Sequence, residues 1–112
     1  MRAEELKGHL DALLLAALEA GPRHGYAVIE ALRQDTGGRL DLPTGTIYPA
    51  LRRLEQAGLI TGSWSVVGGR RRREYRLTAA GRRALSGRRA DWRDFAATVS
   101  AALEGRPCPN PA

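Results

Sequence analysis

Residues 43–81 read PTGTIYPALRRLEQAGLITGSWSVVGGRRRREYRLTAAG. In the first third, Ile47, Leu51 and Leu54 recur at helical spacing, with Arg52, Arg53 and Gln56 on the remaining faces, which predicts an amphipathic helix. Either Thr44 or Thr46 can cap its start, Pro49 falls close to the first turn where a missing N–H costs least, and Gly58 ends it. Two alternating runs follow, Ser63 to Val67 and Arg72 to Leu77, joined through Gly68-Gly69. Alternation places Trp64 and Val66 on one face, and Tyr75 with Leu77 on one face of the partner. Four consecutive arginines, Arg70 to Arg73, crowd the junction. A helix that can lie in a groove, followed by a hairpin with a basic tip, is the order in which a winged helix-turn-helix meets duplex DNA.

Upstream, Leu40 and Leu42 lead into Pro43, and a helix is predicted from about His24 to Thr36, burying Val28, Ile29 and Leu32 and stopping at Gly37-Gly38. A first helix is predicted from about Ala3 to Ala20, with Leu6, Leu10, Leu13, Leu14, Ala17 and Leu18 at helical spacing before Gly21-Pro22. Downstream, Thr78 caps a last helix from Ala79 to about Leu103, roughly 37 Å long at 1.5 Å per residue. The expected architecture is mainly α with a small β-hairpin. Residues 1–78 form the winged helix-turn-helix, 79–104 a C-terminal dimerisation helix and 105–112 a tail.

That last helix carries Leu85, Trp92, Phe95, Ala96, Val99, Ala102 and Leu103 as one apolar stripe. A domain of about 78 residues cannot cover so long a stripe, and uncovered apolar patches of this kind mark interfaces. A homodimer sealed by the helix is the simplest remedy, and it would set two reading helices against half-sites about one helical turn apart or a multiple of it.

Charge follows the same division. Residues 52–89 hold eleven arginines against Glu55 and Glu74, whereas the segments before and after are slightly acidic, so the net +6 is concentrated in one third of the chain. All basic side chains but Lys7 are arginine, whose fork suits phosphates and guanine edges. The bland reading of such a run is a solvated basic face. Its position at a hairpin tip beside a helix-turn-helix pattern favours the nucleic-acid reading.

With 112 residues, 43% hydrophobic and 27% charged, the chain fits one globular domain with a modest core. The longest nearly apolar run, Leu13 to Leu18, is far too short for a bilayer, and the start MRAEELKGHL carries acids among its first residues and lacks a signal peptide's apolar core. Cys108 is the only cysteine and has no internal partner. These features make the cytoplasm the expected compartment and speak against a membrane. His9, His24 and Cys108 lack metal-ligand spacing, so neither a metal nor another cofactor is expected. Ser63, Ser65, Ser86 and Ser100 have no histidine placed to activate them, and Gly68-Gly69 belongs to a turn rather than a phosphate cradle, so the chain is not expected to be an enzyme.

His24-Gly25-Tyr26, the block Gly45 to Glu55 (GTIYPALRRLE), Gly58-Leu59-Ile60, and Arg73 to Thr78 (REYRLT) with Gly81 closely resemble the PadR family of transcriptional regulators, over about residues 6–103. The single C-terminal helix resembles the short subfamily, in which that helix mediates dimerisation. The resemblance implies a winged-helix DNA-binding repressor, often of transporter or stress-response genes. It departs from the family at Glu74, where an aromatic commonly precedes Tyr75, and that difference bears on how the wing packs.

Thr44, Thr46 and Tyr48 lie at the start of the third helix, where side chains reach bases or phosphates; Tyr48 could instead pack internally. At least one of Arg52 and Arg53 is expected to touch DNA, the other pairing with Glu55 or Glu30. Arg70, Arg71 and Arg72 would grip the backbone from the wing. The resemblance favours a phosphate contact from the Tyr26 hydroxyl, against a core role, while His24 reads as a cap or packing residue. In some short family members a dimer-interface tryptophan stacks on flat aromatic effectors, so the resemblance makes a planar aromatic small molecule a candidate partner of Trp92, besides double-stranded DNA and a second copy of the chain. The expected activity is a repressor binding a palindromic operator as a homodimer, with release by an effector. The alternative is a winged-helix module used only for protein contacts.

Overall fold

The computed structural model describes Leu6 and residues 8–105. Four helices and three strands follow in the order α1 (Leu10–Ala17), β1 (Arg23–His24), α2 (Gly25–Asp35), α3 (Thr44–Gln56), β2 (Ile60–Val67), β3 (Arg70–Leu77) and α4 (Ala79–Glu104). The strands form one antiparallel sheet in the order β1-β3-β2. Short β1 escapes a periodicity reading because two residues carry no alternation; it pairs Arg23 with Tyr75 and His24 with Glu74.

α1 is shorter than expected. Gly8 adopts a φ of 89°, which breaks the helical path. Beyond Ala17 the chain tightens into a turn with Leu18 N–H donating to Leu15 and Glu19 N–H to Ala16. The expected segment before Leu6, Lys7 and the tail from Arg106, including Cys108, lie outside the described residues.

α3 starts one residue beyond Pro43, which takes the cap position, so neither Thr44 nor Thr46 caps it. The Pro43 carbonyl instead accepts from the Thr46 and Ile47 N–H groups. Pro49 lies inside the helix rather than in its first turn. Its missing bond falls to the carbonyl of Gly45, an exposed residue, where water can serve as the partner. The buried stripe is as expected, with Ile47, Leu51 and Leu54 in the core together with Ala50.

β2 and β3 join through Gly68 and Gly69, with φ of 58° and 77°. Positive φ at both central residues makes the two-residue turn that suits a twisted hairpin. Val67 therefore faces Arg70, Trp64 faces Arg73 and Ile60 faces Leu77. The common face of Ile60, Tyr75 and Leu77 is buried at the base of the hairpin, while Trp64 and Val66 on the same face are exposed towards the tip. Glu74 takes the alternate face, half-buried between Ser63 and His24 and away from the core side of the hairpin.

The core is one cluster of Leu14, Leu15, Leu18, Val28, Ile47, Leu51, Leu54 and Ile60, closed by Tyr75, Leu77 and Leu85. Thr78 Oγ1 caps α4 by accepting from Gly81 N–H at 3.0 Å and donates to the Gly58 carbonyl at 2.7 Å. A β-carbon at Gly81 would lie 2.0 Å from the Leu59 carbonyl oxygen, so only glycine lets α4 start this close to the strand. Leu85, expected on the dimer stripe, is buried in this core instead, because the first turns of α4 pack on α1. The helix then leaves the domain and gives the molecule its 57 Å long dimension.

Candidate nucleic-acid interface

α3 buries Ile47, Leu51 and Leu54, and Thr44, Tyr48 and Arg52, spaced by four, form an exposed row on one side of the outer face. Thr46 and Arg53, seven apart, lie on its other side, with Gly45, Pro49 and Gln56 exposed between them. The two arginines are not equivalent. Arg53 donates to Asp11 of α1 at 2.6 Å, and Arg88 of α4 approaches the other oxygen of Asp11 at 3.9 Å. Neither expected partner of the arginine pair serves them, since Glu55 is taken by Arg73 and Glu30 by Arg33. Arg52 is exposed and has no hydrogen-bond or ion-pair partner among the described residues.

The N-terminus of α2 meets this row. Tyr26 is 64% exposed, which places it on the surface rather than in the core. Tyr48 packs across Gly25, where a β-carbon would lie 2.6 Å from Cε1, Cζ and the hydroxyl oxygen of its ring. Partial burial raises the Tyr48 phenol above its ordinary value, with Tyr26 and Tyr75 pushing the same way, so at neutral pH the hydroxyl keeps its proton and can donate to a phosphate. Tyr48 thus both packs and presents an edge.

His24 sits at the α2 cap. Its Nδ1 lies 3.4 Å from the Ala27 N–H and its Nε2 3.0 Å from Nη1 of Arg72. A neutral imidazole accepts through one nitrogen only, so the shorter contact from Arg72 and the longer cap are alternatives. His24 thus serves either as the cap of α2 or as the acceptor that draws Arg72 against the body of the domain, a cap or packing residue in both cases.

Each remaining wing arginine has its own setting. Arg70 is exposed at the turn. The Arg71 guanidinium lies 4.8 Å from the centre of the Trp64 ring and that of Arg73 5.5 Å from it, so the indole holds two cations beside it. Arg73 continues across Gly62 to Glu55. Neither Trp64 nor Arg73 is among the site residues expected from sequence, although a two-residue turn at Gly68-Gly69 fixes Trp64 opposite Arg73.

Far from this surface, α4 exposes Trp92, Phe95, Val99 and Leu103, the last at 81%. His9 meets Trp92 edge-on at 5.2 Å, and Phe95 lies 5.9 Å from the same indole. Among the described residues there is no cluster of potential metal ligands and no helix long and apolar enough to cross a membrane.

A three-helix core with a basic hairpin wing beside an exposed reading face defines a winged-helix DNA-binding protein. The family model described as the transcriptional regulator PadR-like family matches residues 14–87, and the chain belongs to that family. It is similar to the PadR family transcriptional regulator from Eggerthella lenta (35% identity, TM-score 0.78, covering 90% of this chain and 87% of that one). A PadR family regulator from hypervirulent Clostridium difficile is similar too (32% identity, TM-score 0.72, covering 86% and 98%). The transcriptional regulator Rv3488 of Mycobacterium tuberculosis is 45% identical over 64 residues, which span 57% of this chain and 47% of that protein. The protein is accordingly a DNA-binding transcription regulator, of a family of regulators rather than enzymes.

Proposed function

We propose that the chain works in the cytoplasm as a homodimeric repressor of a palindromic operator. The observation that carries this is the division of exposed surface within one chain: Thr44, Tyr48 and Arg52 in a row beside an arginine wing, and Trp92, Phe95, Val99 and Leu103 in an apolar row at the far end. Two chains joined along α4 would cover the second row and present the first one twice. Each α3 would enter a major groove, with Thr44, Thr46, Tyr48 and Arg52 nearest the bases, Arg53 at the edge, and Tyr26, Arg70, Arg71 and Arg72 on phosphates. In this reading residues up to 78 and the first turns of α4 form the reading unit, and the rest of α4 the dimer seam, with Ala96 beneath the larger side chains. Bound over a promoter, the dimer would exclude polymerase.

A planar aromatic effector stacked on Trp92 would change the angle between the two copies and so the spacing of the reading helices. Such a ligand shifts DNA affinity only by its preference for one arrangement. Selection of bound fragments from genomic and random DNA tests the reading, since a two-fold symmetric motif is expected. Recovery of fragments with no shared sequence overturns it.

A further inference from the structure

Glu55 closes α3 on the side of the wing, and one of its oxygens takes two donors. Oε2 accepts from the backbone N–H of Gly62 on β2 at 3.2 Å and from the guanidinium of Arg73 on β3. β2 is an edge strand of the sheet, and Arg73 on the central strand reaches Glu55 by crossing over it. It crosses at Gly62, where a β-carbon would lie 2.7 Å from Arg73 Nε and 2.9 Å from Cζ and Nη2. Arg73 in turn stands beside the Trp64 indole, on the far side of which the strand continues to Val66 and the turn. One carboxylate thereby joins the reading helix, the edge strand and the aromatic face of the wing. Beyond this point no residue of the hairpin is buried, Trp64, Val66, Val67 and Arg70 all being exposed, and the described contact back to the domain is that of Arg72 with His24 on the opposite face of the sheet.

A carboxylate on this side is costly for binding a polyanion, since it cancels one of the arginines that would draw phosphates in. Its geometry supplies the compensating role. We propose that Glu55 is a positioning residue that locks the wing to α3 through Gly62 and Arg73, so that helix and wing meet DNA as one body and base preference in the sequences flanking the major-groove site depends on it. This rests on the DNA-reading function proposed above.

Gly62→Ala separates geometry from charge. It dislodges the guanidinium, touches only the end of a flexible side chain, and leaves every charge in place. Binding is measured by fluorescence anisotropy on the selected operator, on operators altered only in the flanks, and on random duplex, with thermal unfolding to verify the fold. For Gly62→Ala, preference for the selected flanks should fall roughly tenfold with little change on random duplex. Glu55→Gln should lose the same preference while binding random duplex more tightly, and the double variant should be no worse than either single one. Glu55→Gln that tightens binding to every duplex with flank preference intact would overturn the lock, as would a selective Gly62→Ala variant. Should Glu55→Gln fail to fold, Gly62→Ala and Arg73→Gln carry the test. A wild-type protein that binds all duplexes alike removes the DNA-reading function and the lock together, whereas a selective wild type beside a selective Gly62→Ala removes the lock alone.

Discussion

The ring of Tyr48 on α3 occupies the place where residue 25 would carry a β-carbon, 2.6 Å from three of its atoms. Gly25 is the first residue of α2, where alanine would otherwise favour the helix. Gly25→Ala should therefore cost little stability, about 1 kcal/mol or less, because Tyr48 is partly exposed and can swing out. It should nevertheless weaken operator binding, since the phenol loses its place between α2 and the groove. Thermal unfolding alongside operator titration checks this. A variant with wild-type affinity would show that Tyr48 is packing alone.

Arg52 and Arg53 should part company. Arg52 is exposed and unpaired among the described residues, so Arg52→Ala should cost about 1–3 kcal/mol on the operator if its fork reads a guanine, and relax preference at one base pair. Arg53 is shared with Asp11, and its loss should weaken binding less and without changing base preference. Equal effects of the two substitutions on selectivity would contradict that assignment.

Salt dependence tests the wing. Each phosphate neutralised should contribute about 0.9 to the fall of log affinity with log salt. Arg70→Ala and Arg71→Ala should each lower the slope and weaken operator and random duplex alike. A nearly flat response of the wild type would remove the wing from the interface.

Most of the architecture was legible in 43–81 because periods of 3.6 and 2 and a two-glycine turn are strictly local signals. Ile47, Leu51 and Leu54 had to lie inward, and Tyr75 and Leu77 had to share a face. The errors lie where a second element intervenes. Thr44 and Thr46 both suit a helix cap, yet Pro43 takes the cap position, its carbonyl accepting from the Thr46 and Ile47 N–H groups. Leu85 falls on the same helical stripe as Trp92, and only the packing of α1 against α4 assigns one to the core and leaves the other outside. The partner of Arg53 lies 42 residues away in sequence, a distance no helical spacing can register. Gly81 is legible as a motif residue, but its reason, an oxygen of Leu59 in the way of any side chain, exists only in three dimensions.

The seam on α4 predicts coupled folding and association. Trp92, Phe95, Val99 and Leu103 recur at spacings of three and four and are exposed in one chain. The thermal midpoint should rise with protein concentration. Val99→Asp should place an unpaired charge in the seam and yield monomers that bind the palindrome poorly. In a Trp64→Phe background, planar aromatic cations should quench the Trp92 fluorescence and alter operator affinity together. Sedimentation of the wild type as a stable monomer at micromolar concentration would refute the dimer, and quenching with unchanged affinity would remove only the sensor.

The wing's cationic surface is made entirely of arginine, from Arg70 to Arg73 and again at Arg76. Guanidinium groups hold their charge throughout the physiological pH range and offer no amine to an acetyltransferase. Neither a drop in acidity nor the commonest charge-removing modification of basic proteins would therefore loosen the hold on a phosphate backbone proposed for this hairpin.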